Sequence, residues 1–312
     1  MRIVSLLPST TEIAYALGLG EQVVAVTHEC DYPPDACTKP VITSSTMPHT
    51  GLSSAQIDAI VSAQVREQLS IYHLDATLLH QLQPTLILTQ ALCEVCAVAF
   101  DQVRHAVRDL GGEPRILSLE PTTLDGIFET IEMVGAVTGC TATAQALTSS
   151  LRERVATVQQ RVATGAAPRQ RVACFEWLDP IFGPGHWLPE MVELAGGEPV
   201  IGKPGHVSPR VEWDTILSAA PEVIVLTCCG FDVARTLEEA ARTLPQRSGW
   251  HSLPAVQQGH VYAVDGNAYF SRPGPRIVEG LELLARILHP DLCADLAPAA
   301  AIVPFESVVH TR

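Results

Sequence analysis

The chain has 312 residues, 47% apolar and 17% charged, which makes it globular and long enough for two domains with separate cores. A formal charge of −14, with no block of five or six basic residues, excludes nucleic-acid binding, which needs clustered Lys and Arg to displace counterions. No stretch approaches the roughly 18 apolar residues of a membrane span, so no membrane insertion is expected.

The N-terminal "MRIVSLLPSTTEIAYALG" reads as a strand, a Pro/Ser/Thr turn and a helix ending at Gly18. Its apolar run is broken at Ser5 and stopped at Pro8, short of the roughly 7 to 15 apolar residues of a secretory signal. The expectation is therefore a cytoplasmic chain, or an extracytoplasmic one if a leader has been removed. Ser9, Thr10 and Thr11 open the helix, where free N–H groups take an anion or, more plainly, a side-chain cap.

A second apolar run, 22–26, is followed by "THECDYPP", and a third, 85–89, by "TQALCEVC". "PRILSLEPTTLDGIFETIEMVG" then gives another strand and helix. From Thr141 to Gly165, Leu147, Leu151, Val155, Val158 and Val162 fall on one face of a helix. At ~1.5 Å per residue, twenty-odd helical residues reach ~30 Å, a stiff connector rather than a Gly/Ser tether.

Beyond it the same units return: "RVACFEWLDPIFGPGHWLPEMVELAGG", "PEVIVLTCCGF" and "GHVYAVDGNAYFSRPGPRIVEGLELLARIL". Short apolar runs alternating with helical patterns, twice over, predict two Rossmann-like α/β lobes with parallel sheets. The expected divisions are 1–140, the connecting helix 141–165, a second lobe 166–292 and a tail 293–312. Ligands of open α/β sheets sit beyond the carboxyl ends of the strands, so the segments just after each strand are the candidate site, in a cleft if the lobes face each other.

Those segments hold the chemistry. Nine cysteines in a chain too large to need disulfides act as core residues, metal ligands or reactive thiols. Cys37, Cys140, Cys174 and Cys293 stand apart and are read as packing. Cys93 and Cys96 have CxxC spacing and, with His28 and Cys30, could supply a Cys3His set suited to zinc, part of an iron–sulfur site, or a redox-switchable disulfide. Thiols packing a loop are the plainer alternative. Adjacent strand-end residues point oppositely, which makes Cys229 a lining residue and leaves Cys228 to the core.

In the second half, Trp177, Phe182 and Trp187 suit a flat apolar ligand or an ordinary core. His186, on a Gly/Pro-rich turn, is either a solvated loop histidine or an imidazole that reaches a metal. Tyr269, Phe270 and Arg272 add two rings and a cation able to pair a phosphate or carboxylate. No Ser/His/Asp nucleophile, phosphate loop or carboxylate pair is legible, so an enzyme is not expected.

The motifs "RIVSLLPSTTEIAYALG", "DYPP", "PTLIL" and the "PR" of "SRPGPR" resemble the vitamin B12-binding and iron-siderophore-binding proteins of bacterial ABC importers. "HECDYP", "LCEVCAV", "GHWLPEMVELAGG" and "DGNAYFSRPGPR" resemble a branch of cobalamin-binding proteins. The likeness covers roughly residues 1 to 290. It implies two α/β lobes joined by one long helix, no catalysis, and cobalamin or a related corrinoid as ligand. Where that family grips the corrin with aromatic residues in both lobes, the first lobe here offers Glu29 or Cys30, Ser45 or Thr46, and Gln90. Importer docking in the family uses one glutamate on each lobe. Thr77 and Asp214 stand there in this chain, so docking to a permease is not expected. The resulting expectation is a binding protein for a corrinoid or other flat metal chelate; the alternative is a zinc, iron–sulfur or thiol-redox protein using His28, Cys30, Cys93 and Cys96.

Overall fold

The computed structural model describes residues 1–47, 51–67, 70–90, 103, 106, 114–165 and 168–306. The chain divides into two compact units. Unit one comprises residues 1–52, 56–121 and 125–149; unit two comprises 53–55, 122–124 and 150–312.

Unit one is built on four parallel strands: β1 (Ile3–Ser5), β2 (Val23–Ala25), β5 (Leu86–Thr89) and β6 (Arg115–Ser118), in the order β2-β1-β5-β6. β1 and β5 run through the middle and are buried throughout, as expected of runs such as Leu-Ile-Leu that meet no water on either face. Val4, Leu6, Ile42, Leu79 and Ile87 form one of its core clusters. A small antiparallel pair that the sequence did not suggest, β3 (Thr43–Ser45) with β4 (Tyr72–Leu74), lies outside this sheet.

Unit two repeats the theme with β7 (Arg171–Phe175), β10 (Glu198–Pro199), β11 (Val223–Leu226) and β12 (Val261–Ala263), all parallel in the order β10-β7-β11-β12. β13 (Val303–Pro304), from the C-terminal stretch, closes the edge antiparallel to β12. Between β7 and β10 the chain makes a short hairpin, β8 (Trp177–Leu178) with β9 (Ile181–Phe182).

Thr141–Thr164 is one helix of 24 residues, grouped with unit one up to Ser149 and with unit two from Ser150. Of its apolar face, Leu151 and Val158 are buried, and Leu147, Val155 and Val162 are half-buried. In unit two, Arg154 of this helix makes a two-pronged ion pair with the buried Glu282 of the Ile277–Leu288 helix, at 2.8 and 2.6 Å. That carboxylate holds the Arg154 guanidinium above its ordinary pKa. No helix among the described residues is long and apolar enough to cross a membrane.

Candidate functional site

In unit two the chain leaves β7 for β10 on one side and enters β11 on the other, so the carboxyl ends of β7 and β11 form a topological switch point. Three segments leave the carboxyl ends of β7, β11 and the neighbouring β12: 176–187, 227–231 and 264–272. Backbone contacts knit them. The Cys229 N–H donates to the Glu176 carbonyl at 3.1 Å, and the Gly230 N–H donates to Asn267 Oδ1 at 2.8 Å. Gly266 lies so close that a Cβ there would stand 2.5 Å from the Cys228 carbonyl oxygen and 2.6 Å from that of Thr227. Only glycine admits this approach.

The hairpin sets the rings. Leu178 opposes Ile181 and both are buried; Trp177 opposes Phe182 and both are half-buried. Directly opposed residues of an antiparallel pair project from the same face, so the two aromatic side chains leave the hairpin on one side. Arg247 ties down the hairpin by donating to the Leu178 carbonyl at 3.0 Å. Behind the pair, Phe231 packs against Trp177 with ring centroids 4.9 Å apart, and the Arg235 guanidinium lies 3.8 Å over the Phe231 ring.

His186 sits in a left-handed conformation, φ 51°, on a turn clasped by a second turn. Its N–H donates to the His206 carbonyl at 2.6 Å, and its own carbonyl accepts from the Gly205 N–H at 2.8 Å. Both turns carry the tripeptide Pro-Gly-His, at 184–186 and 204–206. The repeated tripeptide is the sequence signal that pairs the two turns. Glu176 joins the two turns, accepting from the Gly185 N–H at 3.1 Å and from Ser208 Oγ at 2.5 Å. The His186 Nε2 is enclosed and has no hydrogen-bond partner among the described residues. A polar atom in that position is an exception that calls for a physical explanation.

Burial holds the His186 imidazole below its ordinary pKa, and the same cause lowers His289. A histidine depressed in the folded state binds its proton first in the unfolded chain, so stability falls as pH drops. The histidine contribution to the unfolding free energy should be flat from about pH 6.5, the unperturbed imidazole value, to about pH 8, below the range where thiols ionise, and decline below pH 6.5 by less than ~1.4 kcal/mol per pH unit for each histidine. Denaturant titrations at several pH values check this. His186→Asn, which keeps a residue tolerant of positive φ, should make that decline shallower.

The other expected residues divide by burial. Trp187 and Phe270 are 7% and 3% exposed, and the Trp187 indole N–H donates to the Phe270 carbonyl at 2.8 Å. Both brace the site more than they line it. Tyr269 is half-buried and Arg272 is buried. Cys229 is exposed, whereas Cys228 is fully buried and its thiol is pushed up to about 12 by burial. Of the cysteines read as packing, Cys174 and Cys293 are buried and Cys140 is half-buried. Cys37, read as packing, is instead exposed, with its thiol 3.5 Å from the Asp31 carbonyl, in the short helical turn Pro34–Thr38.

In unit one, Cys30 is buried with its sulfur 3.2 Å from both Thr11 Oγ1 and Thr27 Oγ1. His28 instead places Nδ1 2.8 Å from Thr43 Oγ1, and its ring stands 5.5 Å from that of Tyr72. The exposed Glu29 carboxylate is 3.4 Å from His28 Nε2. His28 and Cys30 thus have different hydrogen-bonding neighbours. Cys93 and Cys96 lie outside the described residues, and among the described residues no group of three or more His, Cys, Asp or Glu is placed to hold a metal. Thr77 and Asp214 are exposed, each in the first turn of a helix.

Two α/β units, each built on a parallel sheet with loops at the carboxyl ends of its strands, are the architecture in which a ligand is held by strand-end loops. Residues 3–268 match the family described as Periplasmic binding protein, and the chain belongs to it. This is a family of substrate-binding proteins rather than enzymes. The chain is 26% identical over 300 residues to the uncharacterized ABC transporter substrate-binding lipoprotein YvrC of Bacillus subtilis, covering 93% of this chain and 80% of that protein. It is 27% identical over 290 residues to a cobalamin-binding protein of Halobacterium salinarum, covering 92% of this chain and 69% of that one. Among solved structures, the periplasmic vitamin B12 binding protein BtuF of Vibrio cholerae superposes with a TM-score of 0.62 at 25% identity, over 92% of this chain and 96% of that one. The cytoplasmic location expected from the N-terminus finds no support in these relatives.

Proposed function

We propose that this protein binds a corrinoid, or another flat metal chelate, against the strand-end loops of unit two. The observation that carries the proposal is the opposed Trp177–Phe182 pair, two half-buried rings on one face of a hairpin at the switch point of the sheet. Rings held this way offer a flat, stiff apolar surface that costs little ordering on binding. His186 lies on the same segment, and a ligand that reached its enclosed Nε2 would give a buried orphan atom its partner. A chelate already supplies the equatorial nitrogens of its metal, so the protein needs to offer one imidazole and no multi-residue metal cluster. Tyr269 and Cys229 add a polar fringe. The cobalamin-binding and vitamin B12-binding relatives favour a corrinoid within this class.

The test is the visible spectrum of aquocobalamin mixed with the purified protein in buffer freed of reductant and metal, against aquocobalamin in the same buffer alone. A shifted spectrum, with corrinoid retained by the protein on dialysis, is the expected result; His186→Asn should retain less and shift less. An unchanged spectrum with free passage of the corrinoid through the membrane would reject the reading.

A further inference from the structure

The rings of unit two are fixed by a piece of chain that arrives from elsewhere in the sequence. Residues 53–55 group with unit two although the chain on both sides groups with unit one. Ser54 opens the Ser54–Arg66 helix and is fully buried. Its N–H and its hydroxyl both donate to the same oxygen, Glu239 Oε1, at 2.9 and 2.5 Å. Glu239 belongs to the Val233–Thr243 helix, is only 4% exposed, and is also paired with Arg242. On its other side, the Ser54 carbonyl accepts the indole N–H of Trp177 at 3.2 Å.

A carboxylate buried to this degree is costly unless its lone pairs are used, and here they cap the free N–H of a helix start. The consequence falls on Trp177. An indole has one donor, so the direction of that N–H fixes the rotation of the ring about its stem. Phe231, weighted by Arg235, bears on the ring from another side. We infer that Glu239, acting through Ser54, is a positioning residue that sets the orientation of Trp177 for ligand binding. The inference rests on the reading of Trp177 as a ligand contact, but the orientation itself is independent of that reading.

Glu239→Ala removes the acceptor for both Ser54 donors. Glu239→Gln keeps an oxygen there and serves as the conservative rescue. Acrylamide quenching of the Trp177 emission, obtained as the difference from Trp177→Phe because the chain has four tryptophans, reads the ring directly. Quenching should rise in Glu239→Ala and stay near wild type in Glu239→Gln. Affinity for cyanocobalamin should fall about fivefold in Glu239→Ala, the size of one ordinary hydrogen bond, and this loss should vanish in the Trp177→Phe background. Unchanged quenching, or an equal loss of affinity in both backgrounds, would overturn the inference. Should wild type bind no corrinoid, the quenching result still decides the positioning role, and only the ligand reading fails. Should Glu239→Ala not fold, Ser54→Ala, which removes one donor and keeps the backbone bond, takes its place with a smaller change of the same sign.

Discussion

Trp177→Ala is expected to weaken cobalamin binding by roughly 10- to 150-fold while leaving most of the fold's stability in place. Covering a ring of this size against a ligand contributes on the order of 1.5 to 3 kcal/mol, which converts to that range of affinity. The ring is half-buried in the free protein, so part of its surface is still there to be covered. Its stacking on Phe231 and its bond to the Ser54 carbonyl are local, and losing them should cost the fold less than it costs the ligand. Calorimetric titration of the variant beside a thermal melt separates the two effects. Equal affinity for wild type and variant would remove Trp177 from the site. By contrast, Trp187→Ala should act mainly on stability, because Trp187 is enclosed and bonded to Phe270.

Gly266→Ala should destabilise the protein by roughly 1 to 3 kcal/mol, the usual cost of forcing a methyl group into a packed site. The added Cβ would meet main-chain oxygens of Thr227 and Cys228, which cannot swing aside as a side chain does. To make room, the Thr227–Phe231 segment must part from the Gly266–Tyr269 helix, and the Gly230 to Asn267 bond goes with it. Ligand affinity should therefore fall together with the denaturation midpoint. A variant as stable as wild type would show that the three strand-end segments are not held as tightly as these distances imply.

The central strands of both sheets were legible because each is a short, largely apolar run, whereas β10 (Glu198–Pro199) and β13 (Val303–Pro304), two residues each and with no such run, were not. Val223–Leu226, Val-Ile-Val-Leu, buries every side chain. The segments after them were legible for the same reason, since the ends of such runs fix where loops begin. The hairpin was not. β8 and β9 have two residues each, too few for any alternation to register, and the pairing of Trp177 with Phe182 appears only in three dimensions. Nor does sequence carry any sign that Ser54 would meet Trp177, 123 residues away. Glu239 looks like any surface glutamate of a helix until the buried partner is seen. For Trp187 and Phe270, ring type alone could not tell lining from bracing. His28 and Cys30, two residues apart, were read as a ligand pair; that Thr11 and Thr27 would lie beside the Cys30 sulfur and Thr43 beside the His28 ring is not written in the motif.

This member of the periplasmic binding protein family is proposed to bind a corrinoid. Isothermal titration of the wild-type protein with cyanocobalamin, under reducing and metal-free conditions, tests it most directly. Saturable heat with submillimolar affinity is the result expected, with hemin as a second flat chelate to set the breadth of the site. No heat with any corrinoid, together with stoichiometric zinc or iron in the purified protein that is lost in Cys96→Ser, would contradict it and move the function to the cysteine and histidine residues.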